Sequence, residues 1–263
     1  HNDVLTVMGR GLEHYTREPY LDGGQLKWRP APEKSHDESI LRPAGNPFSA
    51  DGGLKVLKGN LGRAVIKTSS VKAQHRVVEA PVRVFFDQED VMAAFERGEL
   101  HRDVIAVVLF QGPRANGMPE LHKLTPPLGV LQGLGYKVGL ITDGRMSGAS
   151  GKVPAAIHVT PECLNGGPLA RLRDGDIVVL DSERGILEAR VDPAEWAARR
   201  PQAIDLSHNR WGCGRELFDV FRANAVGPEQ GAMSFVLPDV APPEIPVDSA
   251  RPAAAGETLP LEM

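Results

Sequence analysis

Two nearly continuous apolar runs constrain the fold more than any other feature of this sequence. They are DVIAVVLF at residues 103–110 and KVGLIT at residues 137–142. Both are short and rich in β-branched residues, so both predict strands that are covered on each face. Between them, LGVLQGL at residues 128–134 is typical of a helix. A strand–helix–strand unit of this spacing predicts a crossover connection with parallel pairing of its two strands.

Shorter elements flank this unit on both sides. Asp87 is a plausible N-cap for a helix that Gly98 would end. The further predicted segments are strands at 63–67 and 82–86, a hairpin of 176–180 with 185–191, and helices at 193–200 and 214–223. The pattern predicts an α/β fold, with a mixed sheet or barrel and flanking helices.

Proline, glycine and charge divide the chain into three parts. We predict an extended arm or linker at residues 1–45, a folded domain at 46–237 and a proline-rich tail at 238–263. The chain begins with His1 rather than Met, so we expect either a fragment or a processed chain.

Composition excludes several classes of partner. With 30 basic and 34 acidic side chains, the sequence gives no electrostatic case for nucleic acid or an anionic membrane surface. No apolar run approaches the roughly 20 residues of a membrane span. The two cysteines, Cys163 and Cys213, fit a reducing cytoplasm and cannot supply the thiolates that an iron–sulfur cluster usually needs.

A polar loop, residues 111–125, directly follows the first apolar run. In open α/β sheets, ligands bind at the carboxyl ends of parallel strands. The lone carboxylate of Glu120 lies among prolines that stiffen the loop, and it suits Mg²⁺, which often takes only one or two carboxylates. The alternative interpretation is a solvated turn.

The second run leads into a glycine-rich loop, TDGRMSGASGK, at residues 142–152. Gly144, Gly148 and Gly151 would let backbone N–H groups approach an anion. It is not the phosphate loop of nucleotide hydrolases, because Val153 follows the lysine. The alternative interpretation is a Gly/Ser-rich connecting loop with no role in binding or catalysis. Together, the two loops suggest a shared site for an anionic, oxygen-rich small molecule.

Both loops resemble signatures of the dihydroxy-acid and 6-phosphogluconate dehydratase family. The matching segments are LITDGRMSGASG at 140–151 and NGMPELHKLTPPLG at 116–129. The continuation ELHKLTP resembles the 6-phosphogluconate branch of that family in particular. So do segments 59–71, 152–162 and 214–235, and the similarity runs from about Arg10 to Phe235.

The resemblance implies a protein more than twice this long. Its N-terminal half, which this chain lacks, would hold the cysteines of a 4Fe–4S cluster and most ligands of Mg²⁺. The C-terminal part would be a swivelling β/β/α barrel-like domain. Family members are cytoplasmic homodimers with the active site between the two parts. Without that half, we expect this chain alone to bind no stoichiometric iron and to show no dehydratase activity.

The implied reaction is loss of water from 6-phospho-D-gluconate, a phosphorylated sugar acid. By resemblance, Glu120 is the Mg²⁺ ligand of this part and Ser147 is the catalytic base. The residues expected to bind substrate are His122, Lys123, Arg145, Gly148, Ser150 and Lys152. Lys123, with His122, is expected to select the phosphate, because both lie in the branch-specific stretch; the alternative is that Lys123 points to solvent. Arg145 and Lys152 bracket Ser147 and are expected at the carboxylate end or in the loop itself.

Two other functions remain open from the sequence. One is a related sugar-acid or dihydroxy-acid dehydratase, which differs only in substrate. The other is a non-catalytic binding or assembly domain.

Overall fold

A computed structural model describes residues 5–12, 15–32, 34–43, 45–146 and 151–235. The chain forms two compact units, of which the larger is Asp51–Leu237 and contains both candidate loops. The predicted tail, residues 238–263, lies outside the described residues.

The described residues of the smaller unit form two antiparallel hairpins. Their strands are β1 (Leu5–Thr6) with β2 (Gly9–Arg10), and β3 (Arg17–Asp22) with β4 (Gln25–Pro30). Gly23 and Gly24 form the turn between β3 and β4, both with positive φ. A two-residue turn of this hand matches the twist of the strands and favours glycine. The sequence analysis predicted only an extended arm here, although the Gly-Gly pair was a signal for a hairpin.

The larger unit is built on eight strands that close into a barrel. They are β5 (Leu54–Gly59), β6 (Gly62–Lys67), β7 (Val77–Phe85), β8 (Val104–Val108), β9 (Val138–Thr142), β10 (Ala155–Thr160), β11 (Ile177–Asp181) and β12 (Ile186–Ala189). The order around the barrel is β10-β6-β5-β12-β11-β7-β8-β9, and β9 pairs with β10 to close it.

The pairing in this barrel is mixed. Strands β7, β8, β9 and β10 are parallel neighbours, whereas β11 and β12 form the predicted antiparallel hairpin. The predicted α/β fold with a mixed sheet or barrel is therefore confirmed.

Five α-helices lie in the part of the chain that the structure describes. They are α1 (Gln88–Glu96), α2 (Pro113–Asn116), α3 (Thr125–Gly133), α4 (Pro193–Ala198) and α5 (Asp219–Asn224). Asp87 caps α1 as predicted, because its carboxylate accepts a 2.9 Å hydrogen bond from the Glu89 N–H. Gly98, with φ of 74°, follows the end of α1. No helix among the described residues combines the length and apolar character needed to cross a membrane.

Strand β8 shows why its sequence is apolar without interruption. Val104, Ala106 and Val108 pack in one buried cluster with residues of α1 and α3, outside the barrel. Ile105 and Val107 belong to the second cluster, which fills the barrel. Each fully buried side chain of this size contributes about 1.5–3 kcal/mol, an upper estimate. This double burial fixes the strand end from which the first candidate loop departs.

Candidate active site at the carboxyl ends of two parallel strands

Strands β8 and β9 end side by side. They pair in parallel with Val108 opposite Thr142. The loops that begin at Leu109 and Asp143 therefore leave the barrel from the same edge, as the sequence predicted. All other contacts of the site depend on this register.

Asp143 joins the beginnings of the two loops. Its side chain is fully buried, and its two oxygens accept hydrogen bonds from the Gln111 N–H at 2.8 Å and the Cys163 N–H at 2.9 Å. Burial raises the pKa of Asp143, and the Cys163 and Gln111 hydrogen bonds oppose that rise. The sequence analysis did not select Asp143, since Asp-Gly after a strand looks like an ordinary turn.

Gly144 and Gln111 bring the two loops into direct contact. A Cβ at Gly144 would lie 2.6 Å from the Gln111 Cβ and 3.0 Å from the Gln111 carbonyl oxygen. The Gly144 N–H donates to Thr142 Oγ1 at 3.0 Å. Gly144 thus permits close packing of the two loops, and its own N–H is already bound to Thr142.

A short bridge between Glu120 and Arg145 joins the loops a second time. The Leu121 N–H donates to the Arg145 carbonyl oxygen at 3.1 Å, and Arg145 Nε donates to the Met118 carbonyl oxygen at 2.9 Å. Glu120 is half-buried, and its carboxylate has no hydrogen bond or ion pair with another described residue. The bridge thus joins the backbones of a half-buried glutamate and an exposed arginine.

Strained backbone flanks the Glu120 loop. Phe110 has φ of 58° and Met118 has φ of 51°, a region that side chains other than glycine rarely adopt. Such conformations cost on the order of 1–3 kcal/mol each and persist where the surroundings fix them. The strain is consistent with a loop held in one geometry.

Glu162 holds the first turn of this loop. Its buried carboxylate accepts hydrogen bonds from the Arg114 N–H at 3.2 Å and the Ala115 N–H at 3.4 Å, at the start of α2. Burial raises the pKa of Glu162, and these N–H groups oppose the rise. Gly112 leaves room for it, since a Cβ there would lie 2.1 Å from Glu162 Oε2. Nothing local to Glu162 in the sequence indicates this contact.

The residues predicted to select the phosphate lie at the surface. His122 is exposed, with Nδ1 3.2 Å from the Glu120 carbonyl oxygen. Lys123 forms an exposed ion pair with Glu89 in the first turn of α1. His122 therefore lies near the bridge, whereas the Lys123 ammonium is directed to a helix.

Lys152 lies at the other end of the barrel. Ala155 pairs with Leu140, so Lys152 is level with Lys137 before β9 begins. Lys137 precedes Asp143 by six residues, so Lys152 lies roughly 20 Å from Asp143 at about 3.3 Å per residue. The chain returns there because a parallel partner for β9 must start at its amino end. The structure does not bring Lys152 together with Glu120. Ser147, Gly148 and Ser150 lie outside the described residues.

Two titratable groups from other segments contact the second loop, His158 at Gly144 and Cys163 at Asp143. The backbone N–H of half-buried His158 donates to the Gly144 carbonyl oxygen at 2.8 Å. Burial, and then the charge of Arg145, lowers the pKa of the His158 imidazole. Burial also raises the pKa of the Cys163 thiol, whereas Cys213 is exposed. Within the described ranges, no group of three or more His, Cys, Asp or Glu could hold a metal ion.

The fold and the site together indicate the class of protein to which the chain belongs. A closed mixed barrel that presents a carboxylate and an arginine on two joined loops is suited to a small, oxygen-rich ligand. Residues 39–232 match the family described as dihydroxy-acid/6-phosphogluconate dehydratase, C-terminal. The chain therefore belongs to the dihydroxy-acid/6-phosphogluconate dehydratase family, which confirms the resemblance found in its two loops.

Three proteins similar to this chain are phosphogluconate dehydratases. The chain is 63% identical over 235 residues to the phosphogluconate dehydratase of Pseudomonas aeruginosa, covering 89% of this chain and 38% of the relative. It is 59% identical over 236 residues to that of Zymomonas mobilis, with 89% and 38% covered. For the Escherichia coli K12 protein the identity is 58% over 232 residues, with 88% and 38% covered. The chain thus spans well under half the length of these relatives.

Proposed function

We propose that this chain is the C-terminal part of a hydro-lyase that converts 6-phospho-D-gluconate to 2-dehydro-3-deoxy-6-phosphogluconate. The observation that carries the proposal is the bridge between Glu120 and Arg145 at the shared strand edge. It joins the backbones of these two residues where the family's two signature loops meet, which supports a site for an anionic substrate there. The high identity to three phosphogluconate dehydratases supports the choice of substrate.

The reaction needs two kinds of assistance. The C2 proton is only weakly acidic, so its removal needs a base and stabilisation of the negative charge that develops on the substrate carboxylate. Arg145, exposed beside Glu120, would attract that carboxylate, and its Nε bond to the Met118 carbonyl oxygen holds it in position. Ser147, two residues further along, is the proposed base. The C3 hydroxyl then leaves and, with the proton taken from C2, is released as water. The enol product becomes the ketone when its C2 hydroxyl loses a proton and C3 gains one.

Glu120 fits a role as a Mg²⁺ ligand. Its carboxylate is half-buried, has no partner among the described residues, and stands in a loop fixed by Asp143, Glu162 and the bridge. Mg²⁺ often takes only one or two protein carboxylates, so this chain would supply one and the missing part the rest. When bound, the ion would supply positive charge close to the substrate carboxylate.

The cysteines of this chain do not fit an iron–sulfur cluster. Cys163 is buried with a raised thiol pKa, and Cys213 is exposed in a different segment. A cluster normally takes three or four thiolates. We therefore propose that the 4Fe–4S cluster is held by the part of the relatives that this chain does not span. We further propose that the complete enzyme contains that part, forms a homodimer and is located in the cytoplasm.

A chimera tests the proposed function. This chain would replace the matching segment of the Pseudomonas aeruginosa relative, and keto-acid formation would be measured with 6-phosphogluconate, gluconate and a dihydroxy acid. We expect activity on 6-phosphogluconate, and none from this chain alone. Preference for either other substrate, or an iron-loaded but inactive chimera, would overturn the proposal.

The same chimera tests Glu120. Glu120→Gln keeps the size of the side chain but removes its charge, so we expect at least about a tenfold loss of activity, most pronounced at limiting Mg²⁺. The matched control is Glu96→Gln, an exposed change at the end of α1 that should alter neither activity nor Mg²⁺ requirement. Full activity of Glu120→Gln at limiting Mg²⁺ would contradict its role as a ligand.

A further inference from the structure

A cavity with three arginines lies beside the loop that carries Glu120. Its volume is about 450 Å³. Arg114 of α2, Arg210, and Arg222 of α5 contribute to its lining, although Arg114 is about one hundred residues from the other two in sequence. No local pattern in the sequence indicates that these three side chains meet.

Two carboxylates also line this cavity, and both already have partners. Asp205 accepts a 2.8 Å hydrogen bond from the Ser207 N–H, and Asp219 lies 3.4 Å from Arg222. The three guanidinium groups exceed the two carboxylates by one positive charge. The cavity is therefore cationic even with both acidic groups ionised.

The guanidinium groups retain unused donors. Arg222 donates to the Arg215 carbonyl oxygen at 2.9 Å and to Asp219 Oδ1 at 3.4 Å, and its Nε is buried without a partner among the described residues. Arg114 donates one 2.9 Å bond to Asn165 Oδ1. The Arg210 guanidinium has no hydrogen bond or ion pair with any described residue. Donors of the exposed Arg210 guanidinium and the free N–H groups of Arg114 are therefore available to an anion in the cavity.

The cavity shares a wall with the candidate active site. Helix α2 carries Arg114 and Ala115 into the cavity and leads, four residues after Asn116, to Glu120. Asn116 Oδ1 also accepts a 3.4 Å hydrogen bond from Asn209 Nδ2, on the opposite wall. A ligand that reaches from Glu120 along this loop would meet the arginines.

We infer that this cavity binds the phosphate group of the substrate. The inference rests on the proposed function and deepens it, because it names the residues that would distinguish a phosphorylated sugar acid from a plain one. Guanidinium groups match phosphate oxygens in charge and geometry. The phosphate is remote from C2 and C3, so its binding would help to position the reacting carbons. Lys123, the residue that the sequence favoured for this role, already forms an ion pair with Glu89.

The first test uses this chain and inorganic phosphate. Titration followed by amide NMR should perturb Arg114, Arg210 and Arg222, and Arg210→Gln should weaken the affinity by about tenfold or more. Arg102→Gln, an exposed change outside the cavity, is the matched control and should leave binding unchanged. Phosphate binding that survives Arg210→Gln and Arg114→Gln alike, or that is lost in Lys123→Gln instead, would overturn the inference.

The second test uses the chimera and compares two substrates. Arg210→Gln should raise KM for 6-phosphogluconate by about tenfold or more and leave any turnover of gluconate unchanged. Equal losses on both substrates would refute phosphate recognition and leave the proposed reaction intact. If the chimera dehydrates only unphosphorylated acids, the proposed function fails, whereas phosphate binding to the chain can still be measured separately.

Discussion

Replacing Asp143 tests whether one buried carboxylate fixes both loops of the site. Asp143→Asn keeps the shape but offers one acceptor oxygen where the aspartate offers two. Either the Gln111 or the Cys163 N–H would then face an amide NH₂, and an unpaired buried donor costs about 1–3 kcal/mol. Asp143→Ala leaves both donors unpaired but also removes a desolvated carboxylate, so we expect a net loss of about 2–4 kcal/mol.

The raised pKa of Asp143 also predicts the direction in which the stability of the protein changes with pH. Burial raises the pKa of Asp143 above its usual 3.8. Between pH 3.8 and the raised pKa of Asp143, the folded protein binds more protons than the unfolded chain. The free energy of unfolding therefore falls as pH rises through this range. Asparagine does not titrate. The stability difference between the wild type and Asp143→Asn should therefore be larger at about pH 4.5 than at about pH 7.5.

Urea unfolding followed by circular dichroism would measure these differences. Hydrogen exchange should show faster exchange at the Gln111 and Cys163 amides in both variants. Asp103→Asn is the matched control, because Asp103 accepts a 2.9 Å hydrogen bond from the Lys137 N–H in an exposed position. If Asp143→Asn costs no more than this control, or if its penalty grows with pH, the assigned role of Asp143 is refuted.

Two further changes probe the contact between the loops. Gly144→Ala should destabilise the protein by about 1–3 kcal/mol, because the added Cβ would meet backbone and Cβ atoms of Gln111. Gly129→Ala, in α3 with open space around it, should instead stabilise by up to about 1 kcal/mol in the same unfolding assay; equal effects would refute the packing argument. For His158, the lowered pKa means that the folded state favours neutral imidazole, so stability rises with pH up to the usual value of 6.5. His158→Asn, which tolerates the positive φ, should remove that rise, whereas exposed His101→Gln should keep it; an unchanged pH profile in His158→Asn would contradict the assignment.

Local sequence was sufficient wherever a segment's structure depends on its own burial and caps. The apolar runs of β8 and β9, the cap at Asp87 and the hairpin of β11 with β12 were all readable, because burial on two faces, capping and turns leave local patterns. Glu120 could also be selected locally, since its loop follows a buried strand. The resemblance supplied the reaction.

What the sequence by itself determined was the type of the main elements and the strand edge at which the chemistry lies. Only the tertiary structure decided which side chains meet there. Closure of the barrel through β9 and β10 places Lys152 at the opposite end of the barrel from Asp143. The buried carboxylates of Asp143 and Glu162 accept hydrogen bonds from N–H groups of segments distant in sequence. Arg114, Arg210 and Arg222 converge for the same reason. Periodicity records only how each segment is buried, whereas these contacts depend on the order in which the strands pair.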